Sequence, residues 1–190
     1  MPELILTNDH RYLLDGKGID GLTSTIKEAG LIRNSDPKYM ESGSAIHKIT
    51  ELYDLGIMDK YEIDPKGLPY LESWKRFRKD QNYTPLHIEF QIYHPQLMVG
   101  MKIDRLPGPI DLKSGTSEPW HILQIAVQYK TIQIHNLYDC SKKIPMDIYL
   151  DPDGGPPKVK TYTPSEMREA FRIYCSMLVF VRWKRERGIK

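Results

Sequence analysis

The stretch LMVGMKIDRLPGPIDLKSG, residues 97–115, decides how the chain is read. Two apolar-rich runs with strand character, 97–103 and 110–113, flank Leu106-Pro107-Gly108-Pro109, a tight connection. Side chains two apart on a strand share a face, so Asp111 and Lys113 project together, with Asp104 one turn away on the preceding run. Two carboxylates and an ammonium therefore meet in a small volume. An isolated D-x-K triplet reads as an edge ion pair of little energetic weight, so the surrounding chain has to decide between the two readings.

Upstream, residues 87–93 alternate, with Ile88, Phe90 and Ile92 on one face and His87, Glu89 and Gln91 on the other. The three runs predict an antiparallel meander. Before it, Ser35-Asp36-Pro37 has the cap and early proline of a helix start, and the helix should run to about Leu55, where Gly56 stops it. Ile46, Ile49, Leu52 and Tyr53 make its apolar stripe, with His47 and Glu51 beside the stripe. Gly43, Ser44 and Ala45 keep the surface near His47 small enough for a neighbour to approach. A second cap-like start at Asp64-Pro65 leads into a helix over 71–79, with Trp74 and Phe77 inward and a basic run of Lys75, Arg76, Arg78 and Lys79. At the N-terminus, residues 3–7 and 11–14 form a hairpin around Asn8-Asp9, residues 15–18 break the pattern, and a short helix over 22–31 ends at Gly30.

Downstream, residues 118–137 predict a long helix with Ile122, Ile125, Ala126, Tyr129 and Ile132 inward. Residues 143–150 and 158–162 read as strands joined by a Gly/Pro-rich loop. Thr163-Pro164-Ser165-Glu166 is a capping box that opens a final helix to about Arg187, whose last turns carry Arg182, Lys184, Arg185, Arg187 and Lys190. The expected fold is an α/β core, a mixed central sheet with an antiparallel meander flanked by the His47 helix and the Gln124 helix. With 190 residues and no repeat or long linker, residues 1–190 read as a single domain. Its core spans about 36–162, with the N-terminal hairpin and C-terminal helix as additions.

Lys plus Arg number 27 against 25 Asp plus Glu, so overall charge does not mark a nucleic-acid binder and local distribution must. Cys140 and Cys175 are far apart and outside any C-x-x-C, which argues against a disulfide framework or a thiolate cluster. The N-terminus lacks signal-peptide character, and no apolar run approaches membrane-spanning length; a cytoplasmic protein with no membrane role is expected. Carboxylates beside an imidazole and a backbone carbonyl suit Mg2+ or Mn2+. A neighbouring lysine is a poor ligand, but it suits orienting or deprotonating a water, or neutralising charge that develops on a phosphate.

In order, G43-S-A-I-H47, Glu89, G100-M-K-I-D104, D111-L-K113 and Gln124 resemble the motifs of RecB-type nucleases of the PD-(D/E)XK superfamily. That group includes lambda-type phage exonuclease and small single-domain members, and HRYLLDGKGIDGLTSTIKEAGL, residues 10–31, is similar to the lead-in of phage-encoded ones. The resemblance implies a restriction-endonuclease-like core and a metal-dependent deoxyribonuclease, an exonuclease first and a structure-specific or nicking endonuclease second. From another class, it also leaves open a nucleic-acid-binding module that keeps the fold without cleaving. It implies that His47, Asp104, Asp111 and the main-chain carbonyl of Leu112 bind the metal, that Lys113 is the catalytic lysine, and that Glu89 holds a second cation or a water. Gln124 matches the family's Q-x-x-x-Y motif near the DNA backbone, but Gln128 stands at the tyrosine position and Tyr129 follows it, about 100° further round the helix. The four cysteines of iron-sulphur members are absent, so no iron-sulphur cluster is implied.

DNA is the implied partner, in a bacterial or phage-infected cell. With no helicase motif, the chain would act alone, as a homo-oligomer, or in service of a separate helicase or recombinase. Ser114, Trp120 and His121, next to the DLK strand, are the expected DNA contacts together with Gln124 and Tyr129. The basic runs at 75–79 and 182–190 are candidates to follow phosphates, and Trp74 and Tyr83 are further candidates to stack on bases.

Overall fold

A computed structural model of the chain describes residues 2–32, 37–137 and 144–189. Its element order is β1 (Leu4–Leu6), β2 (Tyr12–Leu14), β3 (Lys17–Gly21), α1 (Leu22–Glu28), α2 (Pro37–Asp54), α3 (Leu68–Asp80), β4 (His87–His94), β5 (Val99–Leu106), β6 (Ile110–Lys113), α4 (His121–His135), β7 (Met146–Tyr149), β8 (Lys158–Thr161) and α5 (Pro164–Glu186). The eight strands form one mixed sheet in the order β1-β2-β3-β5-β6-β7-β8, with β4 paired to β5. The anticipated meander is present: β4 runs antiparallel to β5, and β5 to β6. After α4 the chain returns as β7, parallel to β6, and β8 closes the row antiparallel to β7.

Several boundaries differ from expectation: β5 runs on past Ile103 to take in Asp104, α4 starts at His121 rather than Glu118, and two further differences have a clear local reason. The break at 15–18 is a tight hairpin turn, because Asp15 and Gly16 both adopt positive φ, and the chain continues as β3. This strand joins the N-terminal meander to the main sheet by running parallel to β5, with Gly21 opposite Gly100. Asp64 accepts a hydrogen bond from the Lys66 N–H at 3.0 Å and caps a 3-10 turn over Pro65–Gly67, so α3 begins at Leu68 rather than Leu71. The cap expected at Ser35 or Asp36, and the start of the strand expected from Lys143, lie outside the described residues. Gly56, at φ +69, ends α2 as anticipated, and the Thr163–Glu166 capping box opens α5.

The sheet carries a core on each side. Met101, Ile103, Ile125, Ile132, Tyr174 and Leu178 belong to the layer shared with α1, α4 and α5. Ile46, Ile49, Trp74, Leu112 and Ile148 belong to the layer shared with α2 and α3. The C-terminal helix therefore contributes directly to the first core, and Arg182 and Arg185 tie its end to Asp20 and Glu28. No helix among the described residues is long and apolar enough to cross a membrane.

Candidate active site

Asp104 enters from β5 and is buried. One of its oxygens accepts the Leu112 N–H of β6 at 2.7 Å, and the same oxygen lies 3.4 Å from Nδ1 of His47 on α2. Glu89 completes the group from β4. The pairs Ile88–Arg105 and Phe90–Ile103 leave it facing Asp104, and it adopts φ +51, a left-handed conformation that costs of order 1–3 kcal/mol for a side chain of this kind. Such a conformation inside a strand is retained where the surroundings demand it. His47, Glu89 and Asp104 each offer a ligand atom, and these atoms lie within 4.8 Å of one another. Desolvation pushes the Asp104 carboxyl up to about 6; the His47 ring counters it, while Asp111 and Glu89 add to it.

A second cluster sits alongside. Lys113 forms an ion pair with Asp111 and donates to Oε1 of Gln124 at 3.0 Å, while Nε2 of Gln124 donates to Asp111 at 2.7 Å. The three side chains close a ring of polar contacts between β6 and α4. Desolvation, the largest single influence, works against the Lys113 ammonium, but Asp111, Asp147 and Asp104 outweigh it and hold its pKa above the ordinary lysine value. The side chain is therefore a retained cation. The geometry divides the expected ligand set: His47, Glu89 and Asp104 converge, whereas both oxygens of Asp111 face Gln124 and Lys113.

A buried arginine that the motifs did not single out supports Glu89. Arg105, wholly enclosed, donates from Nη1 to Glu89 at 3.2 Å and to the Asp104 carbonyl at 2.7 Å, from Nε to Asp54 at 2.5 Å, and from Nη2 to Thr50 at 3.1 Å. Asp54 also accepts from Arg78 and from the Trp74 indole. Lys102 pairs with the other oxygen of Glu89. Asp147, also not anticipated, lies beside Asp111 on β7; one of its oxygens takes the Tyr162 hydroxyl, and desolvation together with Asp111 pushes its carboxyl up to about 6. A lone acid in the apolar strand MDIY is the sequence signal that could have found it.

The remaining expected contacts separate into three groups. Trp120 lies next to the site, with Lys113 Nζ 5.0 Å from its ring centroid, and Ser114 is near Gly43, where an added Cβ would come within 3.7 Å of its hydroxyl. His121 is instead buried, its Nδ1 2.9 Å from the Tyr149 hydroxyl and accepting the Glu118 N–H, and desolvation followed by Lys113 lowers its pKa to about 3. It is a neutral wall residue, not an exposed stacking surface. Tyr129 lines a separate cleft with Met167 and Phe171 of α5, whereas Gln128 is buried and donates to the Lys102 carbonyl at 3.3 Å. The residue at the tyrosine position thus secures α4 to β5.

Trp74 is fully enclosed and excluded from base stacking, and Tyr83 packs against it edge-on. The basic runs are neutralised in part: Lys75 pairs with Glu72, Arg78 with Asp54, Arg182 with Asp20, and Arg185 with Asp20 and Glu28, while Lys190 lies outside the described residues.

No family model matches the sequence, and no curated protein does. A solved structure from Eubacterium rectale, named "Putative exonuclease", is similar at 14% identity with a TM-score of 0.55, over 87% of this chain and 75% of that one. The two share a fold. The donor set, two carboxylates and an imidazole around a desolvated Asp104, has the chemistry of a divalent-cation site.

Proposed function

We propose that the chain is a metal-dependent DNA nuclease of the RecB-type, PD-(D/E)XK kind, acting as an exonuclease on DNA ends. The observation that carries the reading is the convergence of His47, Glu89 and Asp104 beside the Asp111–Lys113–Gln124 ring. His47, Asp104 and Glu89 would hold Mg2+ or Mn2+, with Asp111 and the Leu112 carbonyl next to them. When bound, the cation supplies a water of lowered pKa and a Lewis acid for the phosphate.

The chain's own residues do the rest. Lys113, kept charged by its carboxylate neighbours, neutralises charge that develops on the phosphate and orients the attacking water; a raised pKa suits it to this task and not to removing a proton. Gln124 holds Lys113 and Asp111 in register. Trp120, against Lys113, offers a face to a base at the strand end.

The test is incubation of purified protein with linear and covalently closed circular DNA, in Mn2+ and in EDTA. Loss of linear DNA alone, in metal alone, is the expected result. Cutting of closed circles would replace the exonuclease with an endonuclease, and binding without cleavage of either substrate would overturn the enzyme reading.

A further inference from the structure

The geometry points to a phosphate-binding subsite formed by Lys160 and Ser117, one sheet row away from the catalytic lysine, that holds a neighbouring phosphate of the bound DNA strand. The inference rests on the nuclease reading for the identity of its ligand.

The register of the sheet builds the row. Asp111 pairs with Asp147 across the parallel β6–β7 ladder, and Asp147 pairs with Lys160 across the antiparallel β7–β8 ladder. Lys160 therefore stands two strand spacings, about 10 Å, from Asp111, and paired residues of adjacent strands share a face. Its Nζ donates to the Ser117 hydroxyl at 3.2 Å, and Ser117 accepts the Tyr149 hydroxyl at the same distance. Tyr149 in turn meets His121, whose ring lies 4.2 Å from that of Trp120 between centroids. The cluster is thus continuous with the surroundings of Lys113.

Its position beside the Lys113 cluster, together with its charge, singles it out. Lys75, Arg78, Arg182 and Arg185 are committed to carboxylates, whereas the Lys160 ammonium lies 5.3 Å from the Tyr162 ring centroid and, among the described residues, has no carboxylate within salt-bridge distance. The two acids that feel its charge are held elsewhere, Asp147 by Tyr162 and Glu166 by Thr163. Lys160 and Ser117 are both exposed, and so is the intervening backbone at Gly115 and Thr116. Small residues with open backbone beside an uncompensated ammonium suit a phosphodiester, which takes N–H and O–H donors and a positive charge together.

The test is the salt dependence of DNA binding without metal, so that it does not depend on cleavage. A fluorescein-labelled DNA duplex is titrated in EDTA over a KCl series from about 50 to 200 mM. Lys160→Ala should weaken binding and flatten the log–log slope by about 0.9, the loss of one phosphate contact. Lys160→Arg should retain the slope, and Ser117→Ala should weaken binding with the slope unchanged. Lys184→Ala on α5 is the control and should leave both intact.

A wild-type slope for Lys160→Ala, or an equal change in the Lys184→Ala control, would overturn the subsite. Loss of inorganic phosphate binding in Lys160→Ala, with duplex binding at its wild-type strength and slope, would overturn it by assigning the site to a free anion. Flattened slopes in a protein that never cleaves DNA would support the subsite while overturning the nuclease. Cleavage with an unchanged slope does the reverse, and absence of DNA binding by the unsubstituted protein overturns both.

Discussion

At the scale of single residues, the site separates groups that hold charge from the group that spends it. Lys113 is a contact partner of Asp111 and Gln124 and does not belong to the His47–Glu89–Asp104 group, so removing it should affect chemistry and leave metal binding alone. Lys113→Ala is expected to lower kcat by about 10²–10³-fold or more, with the Mn2+ affinity measured by calorimetry unchanged. Gln124→Leu leaves Asp111 and Lys113 each short of one partner and should cost about 10–100-fold in kcat. Equal activity of Lys113→Ala and the parent would remove the lysine from the mechanism. These residues were legible in the sequence because strand alternation and motif order are short-range properties. Asp111 and Lys113 must share a face wherever the strand lies. What spacing could not reveal is that Asp111 turns toward Gln124 and that Glu89, opposite Asp104, takes a left-handed conformation.

At the scale of elements, α2, α3, β4 and β5 are joined through one buried guanidinium. Arg105 reaches Asp54 and Thr50 on α2 and Glu89 on β4, while Asp54 brings in Arg78 and Trp74 of α3. None of this was legible, because Arg105 and Asp54 are separated by 51 positions and no local period links them. The contrast with Gly100 is instructive: it belongs to a motif, but its physical reason is a contact with the distant Tyr12, whose ring an added Cβ would strike. Arg105→Met removes the buried cation shared by Asp54 and Glu89, leaving Asp54 to Arg78 and Trp74 and Glu89 to Lys102 alone, at a cost of about 3–5 kcal/mol. For a chain of this length that corresponds to a melting temperature lower by roughly 6–20 °C. Glu89, then held by Lys102 alone, should also bind Mn2+ about 10–100-fold more weakly in calorimetry performed well below the melting point. Adding Asp54→Leu should recover part of the stability, because both ends of the main pair are then apolar. A melting temperature unmoved by Arg105→Met would refute the structural role, and unchanged Mn2+ affinity would refute the link to Glu89.

At the scale of the whole molecule, the overall layout was legible because alternating and helical periods follow the chain in order; the junction at β3 was not, because glycines hide a strand that the pairing to β5 stabilises. The resulting sheet brings together acids with opposite pH behaviour. Asp104 and Asp147, both desolvated and both near Asp111, keep their protons in the folded protein up to about pH 6, whereas in the unfolded chain they release them near the ordinary value of 3.8. Through that window the folded state binds more protons than the unfolded one, so these two groups make stability fall as pH rises from about 4 to about 6, with no further change above. Asp20 and Glu28, at the β3–α5 contact, act in the other direction: Asp20 is held low despite desolvation by Arg185 and Arg182, and Glu28 by Arg185, and their contribution is lost as pH falls through the lowered values. Metal-free protein should therefore be most stable in mildly acidic buffer. A divalent cation requires ionised ligands, so its stabilising effect should be small near pH 4.5 and grow through the same window as Asp104 is driven to ionise. Thermal melting in EDTA and in Mn2+, followed from about pH 4.5 to 7.5, measures both trends. Metal-free stability that climbs across this range, or a Mn2+ shift equal at its two ends, would show that the buried carboxylate at the centre of the site is not what the cation compensates.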